Sequence, residues 1–397
     1  MNKSERIVYT VCKSSFLSFW SFVNPIRKDN KKELTDILVI NDPYIIIISV
    51  KDINIEHSGD IKVDRQRWYK RAIKKSYQQL YGAERILRNN LTKILTSNQE
   101  YLINIPEEKK AKIYRIGISI GRREQFALPF GNFESGFVHF FDQYSFPILL
   151  NELDTITDFI EYIEAKERFF VSGKNALFQS EEDLLALYLH GGRNFPSKFD
   201  RIMVEPLIWT ELCQKSEYHR RKDQEKKSYV WDKIIEEFFR EYSKEQLLFN
   251  RNFSQTEQSL RAMSKESRFS RRILAESFLE AIGFYGTSWI KARMVQSIRG
   301  TIYIFLVDEH REVDRMQRIQ ELQLRCMVAR NIIDSPEVIG IATNRYIKGG
   351  GHSYDLCYTY LPELTDEKRT KLLEMQNDLG YFVNSKKSNK HFDEYPK

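Results

Sequence analysis

The sequence sets acids and an amine on two neighbouring strand-like runs. The first reads Glu33-Leu34-Thr35-Asp36-Ile37-Leu38-Val39-Ile40, with two carboxylates at the entrance of an apolar stretch. The second ends Ile48-Ser49-Val50-Lys51-Asp52. Side chains alternate along a strand, so Ser49 and Lys51 share one face and Val50 takes the other. Hydrolysing a phosphodiester near neutral pH needs a divalent cation that acidifies a bound water and neutralises charge on phosphate. Mg²⁺ (or Mn²⁺) takes hard oxygen ligands, often one or two carboxylates plus waters, and a lysine beside it stabilises developing negative charge. Glu33 and Asp36 are the candidate metal ligands, Lys51 the candidate catalytic amine, and Ser49 its neighbour on the same face. The same residues also suit the solvated ends of two ordinary strands, and so short a pattern does not choose between the two readings.

The elements that must position these groups are legible around them. Asn41-Asp42-Pro43 reads as a hairpin turn between strands at 35–40 and 44–50. A tight hairpin brings the end of the second strand beside the start of the first, so Asp36 and Lys51 are expected to meet. Isoleucine at four consecutive positions, Ile45 to Ile48, predicts a strand buried on both faces. A short third strand at 53–56 is expected to close a meander. Ahead of it, Val8, Val11, Cys12, Phe16, Phe19 and Trp20 recur at helical spacing over 5–22, and Asn24-Pro25 is expected to end that helix. A long helix over 64–89 and a strand over 113–120, bounded by Gly121, follow. The helix carries Arg65, Arg67, Lys70, Arg71, Lys74 and Lys75, with Trp68, Tyr69 and Tyr77 between them. That density of cations suits a phosphate backbone, whose binding is chiefly electrostatic; it also suits a plain solvated helix face. Gln78 and Gln79, one turn later, are placed to contact substrate or a metal-bound water.

The order helix, three strands, helix, strand, with Asp36 and Lys51 in these places, resembles the PD-(D/E)xK or restriction-endonuclease-like nuclease superfamily over roughly the first 120 residues. By that resemblance Asp36 is the metal-binding aspartate, Lys51 the catalytic lysine and Glu33 an auxiliary carboxylate. The sequence departs from the family where an acid stands two residues before the lysine, since Ser49 occupies that place. Asp52 or Glu56 can take over by migration, Ser49 can hold a metal-bound water, or the site is dead. More loosely, residues 16–51 and Gly82-Ala83-Glu84-Arg85 resemble uncharacterised bacterial proteins linked to anti-phage defence.

The remainder reads as mixed α/β (α+β). The nuclease-like part is expected over 1–125, a mostly helical region over 126–285, a small C-terminal α/β domain over 286–383 and a polar tail over 384–397. His190-Gly191-Gly192 lacks the G-x-S-x-G elbow that accompanies a hydrolase oxyanion loop and reads as a helix end. Lys348-Gly349-Gly350-Gly351-His352 lies between strands and reads as a hairpin, and Asp308 to Glu312 as the start of a helix. The four cysteines are scattered without a C-x-x-C pair, which argues against structural zinc and fits a reducing compartment. No leader or long apolar run is read, so a cytoplasmic protein without a membrane partner is expected. A net charge of +7, from 62 basic and 55 acidic residues, permits a polyanion without demanding one. The function expected from sequence is a Mg²⁺-dependent nuclease acting on DNA, with RNA open, as a homo-oligomer or with a defence partner. The alternative is a catalytically inactive nuclease-like module that binds nucleic acid or protein.

Overall fold

The computed structural model describes residues 1–53, 58–107, 109–121, 126–249, 253–286, 290–308, 315–349, 353–383, 385, 390 and 392–395. The chain is mixed α/β and divides into two compact units, Met1–Lys215 and Ser216–Lys397. Among the described residues no helix is long and apolar enough to cross a membrane.

The first unit is built on one mixed sheet. Helix α1 (Lys3–Phe16) leads into β1 (Ser21–Val23), then β2 (Ile37–Asn41) and β3 (Tyr44–Ile53). Next come α2 (Ile61–Trp68), a π-helical turn (Tyr69–Lys74) and α3 (Lys75–Arg88). The strands β4 (Lys112–Gly121), β5 (Gly131–Asn132) and β6 (Phe137–Asp142) follow, and then α4 (Ser145–Glu152). The sheet order is β1-β2-β3-β4-β6-β5. β1, β2 and β3 form an antiparallel meander, whereas β4 runs parallel to β3, and β6 parallel to β4.

β3 is central, which is why its isoleucines show no alternation. Leu38, Ile40, Ile45, Ile47, Ile113, Val138 and Phe140 pack on one face against Trp68, Ile73, Tyr77, Leu80 and Leu87 of the α2–α3 segment. The opposite face carries Ile46, Ile48, Ile116, Ile118 and Phe141, all buried, under α1 and α4. β-branched side chains fit this doubly covered pleat.

Several expectations need correction. The first helix stops at Phe16 because Leu17 takes φ 69°, so Phe19 and Trp20 lie outside it and 21–23 becomes a strand. The third strand of the meander is therefore Ser21–Val23, ahead of the hairpin. Ile53 ends β3, and residues 54–56 of the expected third strand, Glu56 included, lie outside the described residues. The long helix begins at Ile61, where the Asp60 side chain caps the amide of Lys62. Phe137–Asp142 is a strand that the sequence does not announce: its run of aromatic and apolar residues is uniformly buried and has no period of two.

The second unit holds a four-stranded sheet of β7 (Ala292–Gln296), β8 (Ile302–Asp308), β9 (Glu337–Asn344) and β10 (Tyr354–Tyr360). β8 and β9 are parallel, and helix α5 (Arg315–Ile332) lies between them in the chain. Residues 309–314 and 350–352, which include most of the acidic helix start and of the glycine-rich hairpin expected from sequence, lie outside the described residues.

Candidate functional site

The β2–β3 ladder ends at the pair Ile37 and Ile48, and side chains take over from the backbone there. Thr35 Oγ1 donates to the carbonyl of Ile48 at 2.8 Å, and the Val50 amide donates to Asp36 Oδ2 at 2.5 Å. Asp36 is thus fixed at the strand entrance, 7% exposed. Lys51 brings Nζ to 3.5 Å from Asp36 Oδ2 while its side chain keeps 22% exposure. The acid and the amine converge, as the hairpin geometry predicts, with Asp36 buried and Lys51 partly exposed.

Glu33 completes the acidic side. It is exposed as a residue, and Asn24 Nδ2 donates to its Oε2 at 3.1 Å. Partial burial of the carboxyl, then the charge of Asp36 and a hydrogen bond with it, then Glu5, push the Glu33 pKa up to about 7; the bond from Asn24 opposes this. Two carboxyls crowded against each other resist full ionisation unless a cation joins them.

The helix side supplies what the strand lacks. Gln79 Oε1 accepts from Lys51 Nζ at 2.7 Å and from Ser49 Oγ at 3.1 Å, and the hydroxyls of Ser49 and Ser76 lie 3.3 Å apart. Gln78 and Gln79 are neighbours in sequence, and the fold separates them: Gln79 enters the site, whereas Gln78 is exposed one position round the helix. Ser76 is a member of the site that sequence reasoning does not find. The available signal is the inward stripe Ile73, Tyr77, Leu80, Leu87, in which a serine at 76 is an unexpected polar insertion. Asp52, the candidate migrated acid, points to the opposite face and accepts from Ser4 Oγ of α1 at 2.6 Å, as strand alternation requires.

Arg65, Arg67, Lys70, Arg71, Lys74, Lys75 and Gln78 are all exposed on the outer side of the α2–α3 segment. None of the six cations makes an ion pair among the described residues, in contrast to the many paired surface cations elsewhere. Lys75 precedes Gln79 by one helical turn, so the charged face runs up to the site. Trp68 and Tyr77 are buried and pack, against Phe126 and Phe133 respectively, while Tyr69 is exposed. Glu84 belongs to a separate network, bound by Arg115 and Arg88. His139, fully buried beside Phe137 and Phe141, is held neutral by burial and by the charges of Lys166 and Arg115.

Among the described residues no group of three or more His, Cys, Asp or Glu side chains is placed to hold a metal. The oxygen donors left for a cation are the two carboxylates, Glu33 and Asp36, since the Gln79 carboxamide oxygen already accepts from Lys51 and Ser49. This hard, all-oxygen set fits Mg²⁺, which commonly takes one or two protein carboxylates and fills its remaining positions with water and phosphate oxygens. Comparison with known proteins adds no assignment: no protein-family model, curated protein or solved structure matches the chain.

Proposed function

We propose that the first unit is a Mg²⁺- or Mn²⁺-dependent nuclease that hydrolyses phosphodiester bonds, with DNA as the first substrate to test and RNA as the second. The observation that carries this reading is the meeting of Lys51 with Asp36, beside a Glu33 carboxyl that burial and then the charge of Asp36 push up to about 7. The antiparallel meander followed by a helix and a parallel strand supports it, because that is the order on which the sequence resemblance rests.

Asp36 and Glu33 would hold the cation, which when bound supplies Lewis-acid activation of water and charge neutralisation at phosphate. Lys51 donates hydrogen bonds to the phosphoryl oxygens as negative charge builds on them. Gln79 orients Lys51 by accepting a hydrogen bond from its ammonium, and Ser49 fixes the Gln79 carboxamide. The cations from Arg65 to Lys75 neutralise flanking phosphates and set the strand in register.

Cleavage of duplex and single-stranded DNA and RNA with Mg²⁺ or Mn²⁺ tests the proposal. Asp36→Ala and Lys51→Ala are each expected to lower cleavage by about 100-fold or more. Unchanged cleavage in both variants overturns the site. A second reading, a silent module that binds nucleic acid without cutting it, is favoured by Ser49 in place of an acid and by the neutrality of Gln79. Salt-sensitive binding with no cleavage under either metal selects it.

A further inference from the structure

The scattered cysteines of the sequence are not all scattered in space. In the second unit Cys326 of α5 and Cys357 of β10 belong to one buried cluster, and both are free thiols. The strand between them explains how they meet. Gly340 of β9 is the cross-strand partner of Cys357. A Cβ added at Gly340 would stand 2.6 Å from Cys326 Sγ and 2.8 Å from Leu322. The helix sulfur therefore occupies the space that the missing side chain leaves, directly over the strand pair and beside Cys357. Both thiols lie in the same buried cluster, as neighbours across the Gly340 position.

The pair is asymmetric. Cys326 is 0% exposed and Cys357 8%. The neighbouring Cys326 thiol, with help from Thr359 at 3.9 Å, draws the Cys357 thiol down against the effect of burial, while burial pushes Cys326 well up. Thiolate character and access decide which cysteine an oxidant reaches first.

We infer that Cys326 and Cys357 are a disulfide-forming pair, a site of reversible oxidation by hydrogen peroxide or an alkyl peroxide that ties α5 to β10. With hydrogen peroxide, Cys357 Sγ attacks one peroxide oxygen and the O–O bond breaks. The departing oxygen takes the proton of the Cys357 thiol and leaves as water, and Cys357 becomes a sulfenic acid. Cys326 Sγ then attacks Cys357 Sγ; the S–S bond forms, the S–O bond breaks, and the released hydroxide leaves as water with the Cys326 proton. Two thiols and one hydrogen peroxide yield one disulfide and two waters. The sulfurs lose two electrons and the peroxide gains them.

This inference does not depend on the nuclease reading, and its test does not use cleavage. The full chain is treated with hydrogen peroxide, denatured, alkylated and mapped by peptide mass. The expected result is a Cys326–Cys357 linked peptide, disappearance of alkylation at both positions, and its recovery with dithiothreitol. The linked peptide should be absent from Cys326→Ala and from Cys357→Ser; because the decisive measurement is made on the unaltered protein, a variant that folds poorly leaves it intact. Cys213, only partly buried, reports that the oxidant has acted. Oxidised Cys213 with Cys326 and Cys357 both still alkylated overturns the inference. So does a Cys357 sulfinic acid beside an intact Cys326 thiol.

Discussion

Glu33 and Asp36 illustrate how one residue can serve the fold while its neighbour opposes it. Asp36 completes the strand end through the Val50 amide. Glu33 is partly buried and opposed by the charge of Asp36, against which it gains only the Asn24 bond, so its carboxyl is pushed up to about 7 from the usual 4.5. A carboxyl raised in the folded state weakens the fold as pH climbs from about 4.5 to about 7, and the full cost remains above that range. Glu33→Gln is accordingly expected to leave the melting temperature unchanged at pH 4 and to raise it at pH 8, read by thermal unfolding at the two pH values. The same proton must leave when a cation binds. Mn²⁺ affinity measured by calorimetry is therefore expected to rise about tenfold per pH unit below pH 7 and to level off above it. A flat profile would remove Glu33 from the cation site. Gln79→Ala, which takes the acceptor from Lys51, should reduce cleavage without abolishing salt-sensitive binding.

At the scale of the element, the α2–α3 segment has two jobs on two faces. Its inner face seals the sheet and delivers Ser76 and Gln79, while its outer face holds six cations with no ion pair among the described residues. Deleting a cation that binds phosphate should flatten the dependence of log affinity on log salt by about 0.9. Arg71→Ala with Lys75→Ala is expected to lower the magnitude of that slope by about 2 on duplex DNA, read by fluorescence anisotropy across a salt series. No change in slope would mean a merely solvated face. The hairpin has a different sensitivity. Ile47, wholly buried in β3, is expected to cost about 2–5 kcal/mol on replacement by Ala, read by chemical denaturation. The hairpin itself is readable because its isoleucines and turn residues are contiguous. β1 is not, since residues 21–23 continue an apolar spacing that suits a helix, and only the positive φ of Leu17 breaks it.

At the scale of the molecule, every residue assigned to the cation site and the basic face lies in the first unit, Met1–Lys215. A chain of residues 1–215 is expected to retain Mn²⁺ binding and salt-sensitive nucleic-acid binding, measured by calorimetry and anisotropy. Loss of both by a folded fragment would overturn the assignment of the site to the first unit. The sheet of the first unit also reaches past residue 125, because β6 pairs with β4 across a long stretch of chain. Nothing local in Phe137-Val138-His139-Phe140-Phe141 announces that partner.

By itself the sequence determined the hairpin, the face of Lys51, the meeting of Lys51 with Asp36 and the basic helix, because each follows from periodicity and turn chemistry within a few residues. Only the tertiary structure decided that Gln79 and not Gln78 joins Lys51, that Asp52 faces away toward Ser4, and that Cys326 comes to rest over Gly340 beside Cys357. Those outcomes depend on how a helix rotates and seats itself on a sheet, which is set by the packing of many side chains together and is encoded at no single position.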